Sequence, residues 1–320
     1  MNIVFMGTPD FALPTLQQLY ESEHRILLVV TQPDRPKGRG RESAAPPVKQ
    51  FAAKHGLPIL QPETTATQEF VQTLSDLQPD LIIVVAFGQI LKADLLAVPR
   101  HFCMNLHSSL LPRYRGAAPI NWAIINGEKE TGVTTMKMDT GLDTGDILLA
   151  KKVPIADDDD AQSLHDILAV EGAVLVLETL QRLEDGNLPP VPQNSSLSNY
   201  APKLKKEDGL IDWNKSATEI RNRVRGLEPW PGAYTFSGSK RLRICRTETA
   251  PGDSTDRPGQ IARVSGRGIE VGTGDGRIVV TQLQPEGKKR MAAKSFLAGH
   301  KINPGDEWAA QSRSKTTNSN

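Results

Sequence analysis

Leu81-Ile82-Ile83-Val84-Val85-Ala86 is a run of six apolar residues with no polar face. It is far shorter than the roughly 18 residues that cross a bilayer. It suits a strand buried on both sides, in a sheet covered by helices on both faces. The flanking sequence supplies the alternation such a sheet needs. Ile3 to Met6 is apolar and ends at Gly7-Thr8-Pro9, and helical spacing follows in Phe11, Leu13, Leu16 and Leu19. Arg25 to Thr31 reads as a strand, Thr67 to Leu77 as a helix and Phe102 to His107 as a strand. Pro119 to Asn126 fits a short helix with proline in its first turn. Thr134 to Met138 and Ile147 to Val153 read as strands, and Ser163 to Leu183 as a long helix. That helix is expected to bury Leu164, Ile167, Leu168, Val174, Leu175 and Leu180. The pattern predicts an α/β fold with a doubly wound, mostly parallel sheet.

Gly186 to Asn199 is rich in Pro, Asn and Ser and reads as a linker. Beyond it lie a basic helix, Ser216 to Gly226, and five short strands punctuated by glycine, the pattern of a small OB-like β-barrel. The expected organisation is a first domain over 1–187, a linker over 188–204, a barrel over 205–308 and a disordered tail over 309–320. Trp213 and Trp230 read as core or hinge residues, and Asp157 to Asp160 as a solvated turn.

Two cysteines far apart, Cys103 and Cys245, make neither a disulfide framework nor a thiolate metal site. No basic region precedes the apolar residues at the N-terminus, so no secretory signal is expected. Both features fit a cytoplasmic protein. Residues 1–200 hold 16 Lys and Arg against 24 Asp and Glu, whereas residues 201–320 hold 22 against 13. A basic C-terminal third fits a polyanionic partner, and it fits solvated surface lysines equally well.

The chemistry concentrates between Asn105 and Asp146. Asn105 and His107 are two apart on a strand and so share a face. They stand at its carboxyl end, where open α/β sheets bind ligands. A polar loop, Asp139 to Asp146, follows a later strand and offers carboxylates. An amide donor, an imidazole and a carboxylate suit attack by an external amine on a carbonyl. Ser108 and Ser109 are not in a G-x-S-x-G elbow, which argues against a serine hydrolase. Gly7-Thr8-Pro9-Asp10 lacks G-x-G-x-x-G, which argues against a nicotinamide dehydrogenase. His107 has no second ligand at metal spacing, so no metal is expected.

This segment resembles the folate-dependent formyltransferase family. The hallmark is an Asn and a His two apart, then S-L-L-P, with an Asp on a later glycine-containing loop. Here these are Asn105, His107, Ser109-Leu110-Leu111-Pro112 and Asp143. The resemblance covers roughly residues 1–308. It includes Phe5 to Ala12, Thr31 to Gly40, Trp230-Pro231-Gly232 and Gly287 to Met291, which look like the members that act on aminoacylated tRNA. Ser108 stands where many relatives carry glycine.

The resemblance implies a Rossmann-like variant with catalytic Asn105, His107 and Asp143. It implies 10-formyltetrahydrofolate as donor and the α-amine of methionine on initiator tRNA as acceptor. Phe87, Gly88 and Ile90 would contact the pteridine, Asp139 to Leu142 would close its other side, and Ser109, Leu110, Leu111 and Pro112 would line the site. Gln32 to Lys49 is long for a strand-to-helix connection of 2–6 residues. It carries Arg35, Lys37, Arg39 and Arg41, a cationic strip that would approach the tRNA. Lys205, Lys206, Lys288, Lys289 and Arg290 resemble phosphate-binding patches. Arg221 and Arg225 share a helical face, while Arg223 points elsewhere. A monomer without membrane association is expected. Alternative readings are an amino-sugar-nucleotide formyltransferase and a non-catalytic RNA-binding protein. The basic strip and basic C-terminal third favour tRNA.

Overall fold

The apolar runs of the first half assemble, in the computed structural model, into one seven-stranded sheet. The structure describes residues 1–37, 42–253 and 255–309. The chain divides into two units. The first comprises 1–119, 130–154 and 165–201, and the second 120–129, 155–164 and the chain from Pro202 onward.

The first unit begins with β1 (Asn2–Gly7), α1 (Leu13–Glu21) and β2 (Arg25–Val30). A small hairpin of β3 (Arg35–Lys37) and β4 (Glu42–Ala44) precedes α2 (Pro47–Lys54) and β5 (Ile59–Leu60). Then come α3 (Gln68–Asp76), β6 (Leu81–Val85), α4 (Ala93–Leu96), β7 (Cys103–His107) and β8 (Arg115–Gly116). The chain then passes through α5 (Pro119–Ile125), which from Ile120 on belongs to the second unit, to β9 (Glu130–Lys137), β10 (Ile147–Pro154), α6 (Ala161–Glu184), which belongs to the first unit from His165 on, and β11 (Tyr200–Ala201).

The strand order is β10-β9-β7-β6-β1-β2-β5. β5, β2, β1, β6 and β7 run parallel; β9 is antiparallel to β7, and β10 is antiparallel to β9. All five residues of β6 are buried, as its unbroken apolar run requires. Val4, Met6, Ile82, Val84 and Cys103 pack on one face with Phe70 and Leu74 of α3. On the other face Gly172 of α6 meets Leu106; a Cβ at Gly172 would come within 2.7 Å of its Cδ2, so only glycine lets the helix approach this closely. Each fully buried large aliphatic side chain contributes roughly 1.5–3 kcal/mol. β1 pairs with β2 on one side and β6 on the other, so their carboxyl ends frame the topological switch point where such sheets bind ligands.

In the second unit Ser216 caps α7 (Ala217–Gly226) in a capping box with Glu219. β12 (Ala233–Ser237), β13 (Lys240–Ala250), β14 (Ile261–Ser265), β15 (Gly268–Gly272) and β16 (Arg277–Pro285) follow. β17 (Met291–Ala292), α8 (Ala293–Leu297) and β18 (Trp308–Ala309) complete the described chain. The antiparallel order is β14-β15-β16-β13-β12-β18, with β17 on β16. A Gln260–Glu307 bridge, Ile261 N–H to the Asp306 carbonyl (2.7 Å) and Trp308 N–H to the Gly259 carbonyl (2.8 Å) join the two edges. The sheet therefore curls into a small OB-like barrel.

Several expectations need correction. The segment expected as a linker is not free: residues 188–201 belong to the first unit, and β11 pairs with β8. Ile167 and Val174 are exposed by 41% and 43%, because α6 carries apolar residues around more than one face. Trp213 is buried and donates to Thr235 Oγ1, whereas Trp230 is half exposed. Arg221 donates to the Asp157 carbonyl, Arg225 to those of Ala156 and Asp159, and Arg223 to that of Asp208. These arginines hold backbone, and the acidic turn serves them through its carbonyls. Ala309 pairs in β18, and the remaining tail, 310–320, lies outside the described residues. Among the described residues no helix is long and apolar enough to cross a membrane.

Candidate active site

β7 delivers Asn105 and His107 to the carboxyl edge of the sheet, opposite Met136 and Thr134 of β9. His107 is 6% exposed. Its Nε2 lies 2.9 Å from the Tyr114 carbonyl. A carbonyl only accepts, so Nε2 carries the proton and Nδ1 of the neutral ring keeps its lone pair. That Nδ1 lies 3.7 Å from Asp143 Oδ1, within ion-pair range but beyond a hydrogen bond. Asp143 Oδ2 accepts the Gly116 N–H at 2.8 Å.

Two of these residues have left-handed backbones: Tyr114 at φ +59° and Asp143 at φ +54°. Such conformations cost about 1–3 kcal/mol each and persist only where surrounding bonds enforce them. Gly116, at φ +115°, has no room for a side chain; a Cβ would stand 2.6 Å from the Tyr200 ring and 2.8 Å from the Ala201 carbonyl. Tyr114 and Gly116 act through a carbonyl and an N–H, which no side-chain pattern in the sequence marks.

The expected folate residues separate into two groups. Ser109 is fully buried; its Oγ donates to the Arg113 carbonyl at 2.6 Å and its carbonyl accepts Thr134 Oγ1 at 2.7 Å. It frames a turn and offers no ligand surface. Leu111 is buried and its N–H donates to Thr134 Oγ1, while Leu110 packs over Gly132 and Pro112 is half-buried. Asp139 uses its carboxylate within its own loop, accepting Gly141 N–H at 3.0 Å and Thr144 Oγ1 at 2.7 Å. The Phe87 side chain belongs to the core. By contrast Ile90 is 82% and Leu142 52% exposed, apolar surface standing on the two loops expected to flank a pteridine. Ala86 (φ +48°) and Gly88 (φ +90°) are left-handed, so the backbone of this segment turns sharply after β6.

A cavity of about 550 Å³ lies at the switch point, lined by Thr8, Asp10, Gln32, Arg35, Phe87 and Gly88 among others. Thr8 Oγ1 donates to the Phe87 carbonyl at 3.0 Å, tying the loops after β1 and β6. Among the described residues, no hydrogen-bond partner meets the buried Gln32 Nε2. The volume is that of small-molecule sites.

Arg35 is exposed on β3, and Lys37 contributes backbone to the same hairpin. Arg39 and Arg41 lie outside the described residues. In the second unit Lys205, Lys206, Lys288 and Lys289 are exposed. Arg290 is partly committed, to Gln282 Oε1 at 2.8 Å and Glu228 Oε1 at 3.2 Å. Among the described residues no three His, Cys, Asp or Glu side chains converge as a metal site.

The profile described as formyl transferase matches residues 1–180, and that described as formyl transferase, C-terminal domain, matches residues 203–301. The chain is similar to methionyl-tRNA formyltransferase of Citrifermentans bemidjiense, with 56% identity over 305 residues that cover 95% of each chain. Among solved structures it is similar to WlaRD, a sugar 3N-formyl transferase in the presence of dTDP and 5-N-formyl-THF. There the TM-score is 0.66 at 20% identity, covering 90% of this chain and 99% of that one. It is also similar to HypX from Aquifex aeolicus in complex with tetrahydrofolic acid, with a TM-score of 0.61 at 18% identity. That match covers 95% of this chain, which spans only 50% of HypX. At such identities the structures share a fold.

Proposed function

This chain belongs to the formyl transferase family, and from that membership we propose that it transfers the formyl group of 10-formyltetrahydrofolate to the α-amino group of methionine on initiator tRNA. The observation that carries the acceptor is the 56% identity to a methionyl-tRNA formyltransferase, which runs through both units. A reduced folate as formyl carrier is supported by the family and by the tetrahydrofolate and 5-N-formyl-THF in structures of the same fold. A pteridine has flat apolar faces and an edge of donors and acceptors. Exposed Ile90 and Leu142 and the turned backbone of 86–88 offer surface of both kinds.

When bound, the folate presents a formyl carbon open to attack and a nitrogen, N10, that leaves. Asn105 donates to the formyl oxygen as the carbon becomes tetrahedral. His107 Nδ1, free to accept because Nε2–H faces Tyr114, takes the proton that the attacking amine loses. Asp143, 3.7 Å away, stabilises the resulting imidazolium. His107 then returns that proton to N10 as the carbon–N10 bond breaks and the new carbon–amine bond remains. Protons balance, and neither a metal nor a covalent nucleophile is needed.

The cationic strip of Arg35, Lys37, Arg39 and Arg41 approaches the acceptor end, and Lys205, Lys206, Lys288 and Lys289 meet phosphates. Arg290 contributes less, because Glu228 already holds it. The protein works as a cytoplasmic monomer. The test offers purified protein 10-formyltetrahydrofolate with methionyl initiator tRNA, methionyl elongator tRNA or an amino-sugar nucleotide. Formylation of the initiator species is expected; formylation of neither tRNA overturns the proposal.

A further inference from the structure

We propose that Gln193 and Asn199, on the segment that composition marks as a linker, are positioning residues for the transfer, an inference that rests on the formyl-transfer reading above. The segment docks at Val191, which exchanges two backbone hydrogen bonds with Ile147 at the start of β10, at 2.9 and 2.8 Å. Two residues on, Gln193 Nε2 donates to the carbonyls of Asp143 (2.9 Å) and Gly145 (2.7 Å). Its Oε1 accepts Nε and Nη2 of Arg115 at 3.1 and 2.8 Å. Both ends of the carboxamide are used, so its orientation is fixed. Arg115 directly precedes Gly116, whose N–H holds the Asp143 carboxylate. One side chain thereby ties the backbone of Asp143 to the strand that grips its carboxylate.

Asn199 acts at the imidazole. Its Oδ1 accepts the Tyr114 N–H, and its carbonyl accepts the Arg115 N–H at 3.0 Å. That N–H belongs to the same peptide unit as the Tyr114 carbonyl that receives His107 Nε2–H. The peptide is thus held between Asn199 and His107, and each bond polarises the other. β11 continues the clamp: Ala117 N–H and Ala118 N–H donate to the Ala201 carbonyl at 3.0 and 3.2 Å. The strap fixes the acid through Gln193 and the tautomer of the imidazole through Asn199. Neither residue is placed to touch the reacting atoms, so both act by geometry, to which transfer rates are steeply sensitive.

The experiment measures kcat, both KM values and the melting temperature of the full chain carrying Gln193→Met, Gln193→Glu, Asn199→Leu or Asn199→Asp. Gln193→Glu keeps the acceptor for Arg115 but loses both donated bonds, so it separates positioning from packing. Expected is a fall in kcat of about 10- to 100-fold for both Gln193 variants and for Asn199→Leu, with KM values within about twofold. Asn199→Asp retains the acceptor and stays within about threefold of the parent. In an Asp143→Asn background, Gln193→Glu lowers the single-turnover rate by less than about twofold, because the group it positions is already gone. Wild-type kcat in Gln193→Glu, or an undiminished factor in the Asp143→Asn background, overturns the proposal. An inactive parent protein instead overturns the formyl-transfer reading.

Discussion

His107 Nδ1 stands 3.7 Å from Asp143 Oδ1, while the opposite ring nitrogen is 2.9 Å from the Tyr114 carbonyl. The two contacts assign different tasks to the two nitrogens. Nε2 is spent on orientation, and Nδ1 and the carboxylate oxygen can both lie within about 3 Å of one incoming amine. Nitrogen-15 NMR of the enzyme labelled in histidine should therefore show neutral His107 with its proton on Nε2. A proton on Nδ1 would reverse the assignment of the working nitrogen.

Gly116 is placed to transmit change to Asp143. Gly116→Ala forces a Cβ into the Tyr200 ring at φ +115° and moves the N–H that holds the carboxylate. A stability loss of about 1–3 kcal/mol is expected, with a fall in kcat larger than the change in folate KM. Urea unfolding and steady-state kinetics check both. An alanine variant with parental kcat would mean that the Gly116 bond does not set the carboxylate.

Each unit carries one buried thiol. Burial pushes the Cys103 thiol up to about 12 and also raises Cys245. At pH 8 roughly one Cys103 in ten thousand is thiolate, so an aromatic disulfide reagent should label the native protein slowly. Labelling should accelerate when urea opens the unit that holds each thiol. Two separable unfolding events would appear as two labelling transitions, and rapid native labelling of Cys103 would contradict its burial in the sheet.

The barrel has a fork-like ion pair: Arg277 Nε and Nη2 meet Asp256 Oδ2 and Oδ1 at 2.6 and 2.9 Å. Arg277, helped by the Asp253 N–H, holds the Asp256 carboxyl below the usual carboxylate range. A depressed folded pKa stabilises above the unfolded value, near 4, and that contribution is lost as pH falls through the folded pKa. Asp256→Asn should cost about 2 kcal/mol at pH 7. The gap from the parent should close as the pH falls below about 4. A pH-independent gap in urea unfolding would assign the effect to packing.

Unbroken apolar strands and periodic helices were legible because burial on two faces or one stripe leaves a repeating signal, as in Leu81–Val85 and α3. Asn105 and His107 were legible because a spacing of two on a strand puts them on one face. The strap was not legible. Gln193 and Asn199 dock through carboxamides and backbone carbonyls, and their Pro- and Ser-rich surroundings carry no periodicity. The sequence placed Arg221 and Arg225 on one helical face but not their partners, since both donate to backbone carbonyls of the 156–159 turn, which leave no pattern in side-chain chemistry. Ser109 is in the expected motif yet spends its polar atoms on the turn.

The central claim is that Asn105, His107 and Asp143 act together on one formyl carbon. Single-turnover transfer to methionyl initiator tRNA, measured for Asn105→Ala, His107→Ala and Asp143→Ala, tests it most directly. Each rate should fall by about 100- to 1000-fold while formyl-folate still binds. A parental rate in Asp143→Ala would contradict the account.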